Sequence, residues 1–150
     1  MRIAHHRWPL WVLYTLAFAV IAAISFGIFG VANRTLIWNM DGITQHYPLI
    51  REFHQLLMKS GLAGVTGWSW TFGLGADKLT TLAYYVLGDP FAYALALLPT
   101  RLLEVGYGWA IVLRLYAAGL AFLVLAKRYA FKPGSQLVGA VTYAFTGYSL

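Results

Sequence analysis

The sequence predicts an all-α membrane protein, a polytopic bundle of helices, and three observations support this. A run without charged side chains extends from Trp8 to Asn33. Hydrophobic residues make up 60% of the chain and charged residues only 11%, whereas a soluble domain carries roughly 25% charged residues. All five acidic residues lie between positions 41 and 104, so charge is concentrated in the stretch that follows the apolar run.

The first membrane span is predicted at residues 10–32. As a helix, this segment would extend about 35 Å at roughly 1.5 Å per residue, which is enough to cross a bilayer. A signal peptide has a shorter apolar core, typically about 7 to 15 residues, and ends in a small-residue cleavage site. Because Phe26–Arg34 is a poor cleavage site, we interpret the segment as transmembrane.

The distribution of basic residues predicts the orientation of the chain. Positive residues flank the two main apolar stretches, whereas the region from 34 to 104 carries no net charge. Positive flanks stay in the cytoplasm, which places the N-terminus there and a loop of about 33–106 on the outer face of the membrane. The formal net charge of +6 therefore reflects topology, and no nucleic-acid partner is expected. The flanking residues are Arg2, Arg7, Lys127, Arg128 and Lys132.

Two further spans are predicted, near 107–127 and near 135–150. The second of these would still be inside the membrane at residue 150. Residues 1–150 are therefore expected to be the N-terminal part of one larger polytopic membrane domain, and to be inactive alone.

Between the first two spans, the apolar segment Leu82–Leu103 is too broken to be a crossing. Asp89, Pro90 and Pro99 interrupt it, and proline ends a helix. We interpret it as an interfacial or re-entrant segment of the outer face that is buried against protein.

An amphipathic helix is predicted at Pro48–Gly61. Apolar residues recur there at helical spacing with charged residues between them, Pro48 suits the first turn and Gly61 the end. The pattern favours a helix that lies on the membrane surface. The tract Gly61–Gly75 that follows is rich in glycine and aromatic residues and is interpreted as an irregular loop.

Asp41 is the first candidate for chemistry, because it lies a few residues beyond the end of the first span. A carboxylate at the edge of the membrane can deprotonate a hydroxyl acceptor or bind a cation that faces a phosphate. The spacing alone favours the alternative, a helix cap or turn residue beside Gly42.

Metal binding and thiol chemistry have little support in the sequence. His46 and His54 lie eight positions apart without a tight ligand motif, which favours surface or interfacial histidines and no metal site. The chain has no cysteine, which excludes a cysteine nucleophile and cysteine ligands.

Arg114 and a set of aromatic residues are the remaining candidates. An arginine inside a span either pairs with a carboxylate such as Glu104 or reaches the phosphate of a lipid-linked ligand. The aromatic residues could stack on sugar rings, although aromatic belts at membrane interfaces are the commoner case. These aromatic residues are Trp68, Trp70, Phe72, Tyr84 and Tyr85.

Taken in order, these features resemble the start of the bacterial YfhO family, and the resemblance covers nearly the whole chain. The YfhO family is similar to the GT-C class of integral-membrane glycosyltransferases. The resemblance therefore implies a GT-C-like N-terminal part of the bundle, with outer-face juxtamembrane helices. The matching features are the basic N-terminus and first span, Asp41-Gly42 with Gln45 and Pro48, the amphipathic helix, Trp68–Gly75, Tyr84-Tyr85, Asp89-Pro90-Phe91, Arg114 in a span, and Tyr143–Tyr148.

The resemblance implies an enzyme of the bacterial cell membrane. It would move a sugar from a polyprenyl-phosphate carrier to an envelope glycopolymer or lipid on the outer face, with Asp41 as the catalytic base or a metal-associated group. The stricter GT-C pattern has two acids separated by one residue, but Asn39 stands where the partner of Asp41 would be, so a divalent cation remains an open cofactor. The residues expected to bind substrate are Arg114, Gln45, His46, Trp68, Trp70, Tyr84 and Tyr85.

A non-catalytic membrane protein is the alternative. A transporter or flippase of lipid-linked sugars, or an assembly scaffold, would use the same polar outer loop and the same intramembrane arginine. The two classes differ in whether a new glycosidic bond forms.

Overall fold

The computed structural model describes residues 8–146, which are mostly helical. They divide into two compact units. The first combines the residues up to Asn33 with those from Val112 onward, and the second is Arg34–Ile111.

The first unit begins with helix α1, Leu10–Val31, which is 22 residues long. Its buried residues, Tyr14, Phe18 and Ala22, recur at every fourth position and therefore share one face. Most of its other large apolar side chains are exposed, as in a helix surrounded by lipid. The helix is long and apolar enough to cross a membrane, as the sequence predicts.

Helix α5, Leu103–Arg128, is the second candidate span. The predicted span 107–127 lies within it, and the helix begins four residues earlier. Glu104 is in its first turn, and Lys127 and Arg128 are in its last turn. Each charge therefore lies at the helix end whose partial charge is of opposite sign, which stabilises the helix.

Helix α6, Pro133–Ala144, packs in the same unit as α1, with the rings of Phe18 and Phe145 5.2 Å apart. The predicted third span, 135–150, continues beyond the described residues, so a complete crossing by this helix stays a prediction. Also outside the described residues are Arg2, Arg7, Gly147 and Tyr148, which contribute to the predicted orientation and to the resemblance.

A tyrosine contact joins α1 to the part of α5 in this unit. The Tyr14 hydroxyl donates to the Tyr116 carbonyl at 2.9 Å, and the two rings stack 5.5 Å apart. Gly119 makes room for this, since a Cβ there would overlap the Tyr14 hydroxyl. The small residue permits the close approach that helix packing inside a membrane requires.

The second unit is built around helix α2, Tyr47–Ser60. The helix agrees with the prediction, and Gly61 ends it at a φ of 60°, which favours glycine. Its apolar face, however, packs against protein: Ile50 and Phe53 are buried in the core of the unit. The prediction that this face lies on the membrane surface is therefore wrong, because amphipathic spacing is the same for a core and for a lipid surface.

The tract from 61 to 77 has more order than the predicted irregular loop. A 3₁₀ helix covers Gly61–Val65, and two short strands, β1 Trp68–Ser69 and β2 Ala76–Asp77, pair antiparallel. Asp77 then caps helix α3, Lys78–Leu82. The prediction of a wholly irregular loop is therefore wrong for this hairpin.

The apolar segment 82–103 is broken where the sequence predicts. After a π-helical turn at Ala83–Leu87, helix α4 covers Pro90–Ala96 and a 3₁₀ turn covers Thr100–Leu102. Its apolar side chains pack on α2, which confirms the prediction of burial against protein. The buried residues of the segment that belong to this core are Leu82, Val86, Ala92, Leu95 and Ala96.

Candidate functional site

Asp41 stands at the start of the helical segment that leads into α2. It follows Met40, whose φ of 66° lies in the left-handed region that non-glycine residues rarely adopt. Gly42–His46 then forms a π-helical turn that runs directly into α2. Strained residues and π-helical turns both occur preferentially at functional sites.

Trp38 explains why glycine follows Asp41. Its indole packs over Gly42 so closely that an added Cβ would lie 2.6 Å from Trp38 Cδ2. The backbone reinforces the turn, since the N–H of Ile43 donates to the Trp38 carbonyl at 3.1 Å and that of Thr44 to the Met40 carbonyl at 2.9 Å. The orientation of Asp41 is thus fixed by residues on both sides.

The Asp41 side chain is exposed and does not cap the helix. Asp77 and Asp89 do act as caps, because their carboxylates accept the N–H of Thr80 at 2.8 Å and of Phe91 at 2.9 Å. Asp41 Oδ1 instead accepts a hydrogen bond from the side-chain amide of Gln45 at 2.9 Å. The interpretation of Asp41 as a helix cap is therefore wrong, whereas its position next to the turn at 39–40 agrees with a turn residue beside Gly42.

Gln45 links Asp41 to a residue forty positions away. Its Oε1 accepts a hydrogen bond from the hydroxyl of Tyr85, which lies in the second π-helical turn, Ala83–Leu87. Since a carboxylate oxygen accepts hydrogen bonds, the amide NH₂ faces Asp41 and the amide oxygen faces Tyr85. Across the described residues, no hydrogen bond reaches the other carboxylate oxygen, Asp41 Oδ2.

Aromatic rings line one side of this arrangement. The half-buried His46 ring lies 5.0 Å from the Trp38 ring and 5.1 Å from the Tyr85 ring. Tyr84 packs edge-on against Tyr85 at 4.8 Å and remains largely exposed. We name Asp41, Gln45, His46, Tyr84 and Tyr85 the carboxylate cluster; the structure brings these five predicted residues together.

The sequence did not identify Trp38 or the two π-helical turns. No spacing rule distinguishes a π-helical turn from the start of an ordinary helix. Trp38 lies four positions before Gly42, but only the fold shows that its ring covers that glycine.

His54 has a structural role. It is only 5% exposed, and its Nδ1 lies 2.8 Å from the Ala96 carbonyl and its Nε2 3.1 Å from Thr100 Oγ1. Because a carbonyl only accepts, Nδ1 donates to Ala96, and Nε2 and the Thr100 hydroxyl form a second hydrogen bond. The prediction of a surface or interfacial position is wrong for His54.

Between residues 8 and 146, no group of three or more His, Asp or Glu side chains could hold a metal ion.

Trp68 and Trp70 lie together in the β1–β2 hairpin. Their rings meet edge-to-face at 5.6 Å, and both press against Gly75, whose φ of 107° suits only glycine. Both indoles are exposed.

Arg114 lies in α5 inside the candidate span, where it is half-buried. It belongs to the first unit and the carboxylate cluster to the second.

Two side chains of the second unit have shifted pKa values with clear causes. Hydrogen bonds from the backbone and the hydroxyl of Thr80 lower the pKa of Asp77. Burial, assisted by Glu104 and opposed by Arg51, raises the pKa of Tyr47, which directly follows the first π-helical turn. Tyr47 therefore remains a neutral phenol at physiological pH.

A family model described as "Bacterial membrane protein YfhO" matches residues 12–150. No curated protein and no solved structure matches the chain.

Proposed function

Because the chain belongs to the YfhO family of bacterial membrane proteins, we propose that it is a GT-C-like glycosyltransferase of the cell membrane. It transfers a sugar from a polyprenyl-phosphate carrier to an envelope glycopolymer or lipid. In this proposal residues 1–150 are the N-terminal part of one polytopic membrane domain. The N-terminus is cytoplasmic, and the loop of about 33–106 lies on the outer face.

The observation that carries the proposal is the state of the Asp41 carboxylate. Gln45 holds one oxygen in a fixed orientation, while Oδ2 accepts no hydrogen bond from the described residues, and the side chain is exposed. A general base needs this combination of a positioned carboxylate and an oxygen that an acceptor hydroxyl can reach. A purely structural aspartate would use its oxygens on backbone N–H groups, as Asp77 and Asp89 do.

The reaction would be an inverting displacement. Asp41 Oδ2 takes the proton of the acceptor hydroxyl while the acceptor oxygen attacks the anomeric carbon. The bond between that carbon and the carrier phosphate oxygen breaks, and the phosphate leaves with the electron pair. Basic side chains would offset the charge on the leaving group, and a guanidinium such as that of Arg114 is chemically suited to phosphate oxygens.

The aromatic members of the cluster would position the sugar. Tyr84 presents an exposed ring beside Tyr85, the hydrogen-bond partner of Gln45, and the half-buried ring of His46 packs against Tyr85. Rings of this kind offer apolar faces to the C–H groups of a sugar while their polar atoms contact hydroxyl groups. Asp41 Oδ2 is also the oxygen that a divalent cation facing the carrier phosphate would use.

Transfer from a radiolabelled polyprenyl-phosphate sugar into envelope material tests the proposal. The assay compares membranes containing the protein at its natural length with membranes containing Asp41→Asn at matched expression. We expect the variant to lose nearly all transfer, because asparagine keeps the shape of the side chain and cannot accept the proton. Asp77→Asn is the matched control: it removes one acidic charge from the same unit, and asparagine caps a helix as well as aspartate does.

Each outcome is informative. Full transfer by Asp41→Asn would remove Asp41 from the chemistry. Absence of transfer in the unmodified protein, with movement of the labelled carrier across vesicle membranes, would instead favour a transporter or flippase. Binding of the carrier without either reaction would favour a scaffold.

A further inference from the structure

The tip of the β1–β2 hairpin forms an exposed apolar surface, which we name the hairpin tip and define as Trp68, Trp70 and Leu74. Leu74 is 99% exposed and Trp70 78% exposed. The two strands of the hairpin are paired with each other, so the exposure of these side chains does not result from an unpaired strand. Large apolar groups in such a position usually mark an interaction site.

The surrounding charge pattern is asymmetric. No charged residue occurs from Ser60 to Ala76, although this stretch lies within the part of the chain that holds all the acidic residues. Lys59 and Lys78 stand at its two ends, and the Asp77 carboxylate between them is engaged by Thr80. An apolar stretch that lysines flank in the sequence has the composition that suits an anionic lipid headgroup region.

The geometry is less suited to binding a sugar. The rings of Trp68 and Trp70 meet at 70° and so present no common stacking face. The nearest polar side chains, Ser69 and Thr71, are hydrogen-bonded to each other at 2.8 Å. Recognition of a sugar requires polar groups at defined positions beside an aromatic face, and no common face is present here.

The size of the surface argues against a protein partner. Three side chains of this kind expose on the order of 500 Å², whereas a stable protein interface buries about 800 Å² on each partner. Contact with a lipid surface does not need this minimum area. The candidate span α1 already anchors the chain in the membrane, so insertion of a second segment is an intramolecular step.

We propose that the hairpin tip inserts into the headgroup region of the bilayer, with the indoles of Trp68 and Trp70 at the interface and Leu74 deepest. Tryptophan favours this depth because its ring is apolar and its N–H can contact headgroups. This membrane contact is independent of the proposed transfer reaction.

Residues 1–150 contain no cysteine, so a spin label can be introduced at one chosen site in this part of the chain. The test uses Leu74→Cys, labelled and reconstituted into vesicles of phosphatidylethanolamine and the anionic phosphatidylglycerol. Electron paramagnetic resonance then measures collisions with oxygen, which concentrates in lipid, and with a water-soluble nickel chelate. Ile24→Cys, on an exposed position of α1, gives the lipid reference, and Gln55→Cys, on an exposed position of α2, gives the water reference.

We expect the ratio of oxygen to nickel collisions at position 74 to be several-fold above that at position 55 and to approach that at position 24. A ratio equal to that at position 55 would overturn the proposal. An immobile label shielded from both reagents would also overturn it, because it would show burial in a protein interface. Replacing Trp68 and Trp70 with serine in the Leu74→Cys background should lower the ratio, and an unchanged ratio would exclude the indoles as the anchor.

Discussion

The side-chain amide of Gln45 donates to Asp41 across one turn of a π-helix, at 2.9 Å. The hydroxyl of Tyr85 donates a hydrogen bond to the oxygen of the same amide. Since each partner uses a different atom of the amide group, the orientation of Gln45 is determined, and with it the position of Asp41 Oδ1. A carboxylate held in this way loses less side-chain freedom when an acceptor binds.

Removing the Tyr85 hydroxyl should therefore slow transfer without abolishing it. Tyr85→Phe keeps the ring that packs against His46 and loses only the hydrogen bond to Gln45. A neutral hydrogen bond of about 0.5–1.5 kcal/mol corresponds to a fall in kcat of roughly 2- to 13-fold. Steady-state transfer assays should show this fall in kcat, with little change in KM for the carrier.

A matched control distinguishes a specific effect on the position of Asp41 from the general effect of losing a tyrosine hydrogen bond. Tyr93→Phe removes a hydroxyl that donates to the Leu87 carbonyl at 3.1 Å in the same unit. Its kcat should stay within about twofold of the unmodified protein, since this hydroxyl contacts neither Asp41 nor Gln45. If Tyr85 acts through Gln45, Tyr85→Phe should have no further effect in a Gln45→Leu background; additive losses would contradict the linkage.

Gly42→Ala should damage both stability and transfer. The new Cβ would lie 2.6 Å from Trp38 Cδ2, so the indole or the π-helical turn must move. Overpacking of this kind typically costs about 1–3 kcal/mol of unfolding free energy. A thermal unfolding series in detergent would show the lowered Tm.

The same clash offers a rescue experiment. Trp38→Leu combined with Gly42→Ala removes the ring from the path of the new methyl group. The double variant should recover part of the Tm lost by Gly42→Ala alone. If the Tm of the double variant fell by more than the sum of the decreases in the two single variants, the Trp38 ring would not be the cause of the instability.

Much of the helical architecture follows from the sequence. Helix α1, the helix at Tyr47–Ser60 and the interruptions of the 82–103 segment are determined by local properties: apolar length, apolar spacing, proline and glycine. The burial of the apolar face of α2 does not follow from them, because periodicity shows that one face is apolar and does not show what covers it.

The carboxylate cluster was predictable only in part. Asp41 and Gln45 are four positions apart, so a contact between them could be expected from helical spacing. The bond between Gln45 and Tyr85 joins residues forty positions apart and depends on how two π-helical turns pack. A single sequence contains no measure of such a distance, so the linkage required the structure.

His54→Leu should reduce stability and leave the chemistry of folded protein intact. Leucine has a similar volume but leaves the buried Ala96 carbonyl and the Thr100 hydroxyl without their partner. Leaving a buried polar group unsatisfied costs about 1–3 kcal/mol. Denaturation should report this loss, and kcat per folded molecule should be unchanged; a selective loss of transfer at full stability would give His54 a functional role instead.

The lowered pKa of Asp77 predicts that the stability of the hairpin and α3 depends on pH. Thr80 lowers the pKa of Asp77 in the folded protein, so the group contributes stability above its unfolded pKa, and this stability is lost as pH falls through the lower folded value. Asp77→Asn, which caps without titrating, should lack this dependence. The Tm of the unmodified protein should therefore fall relative to that of the variant as the pH is lowered from neutrality to below about 4, near the ordinary pKa of an aspartate. Parallel Tm curves for the two proteins across this range would show that the Thr80 hydrogen bonds do not stabilise the ionised carboxylate.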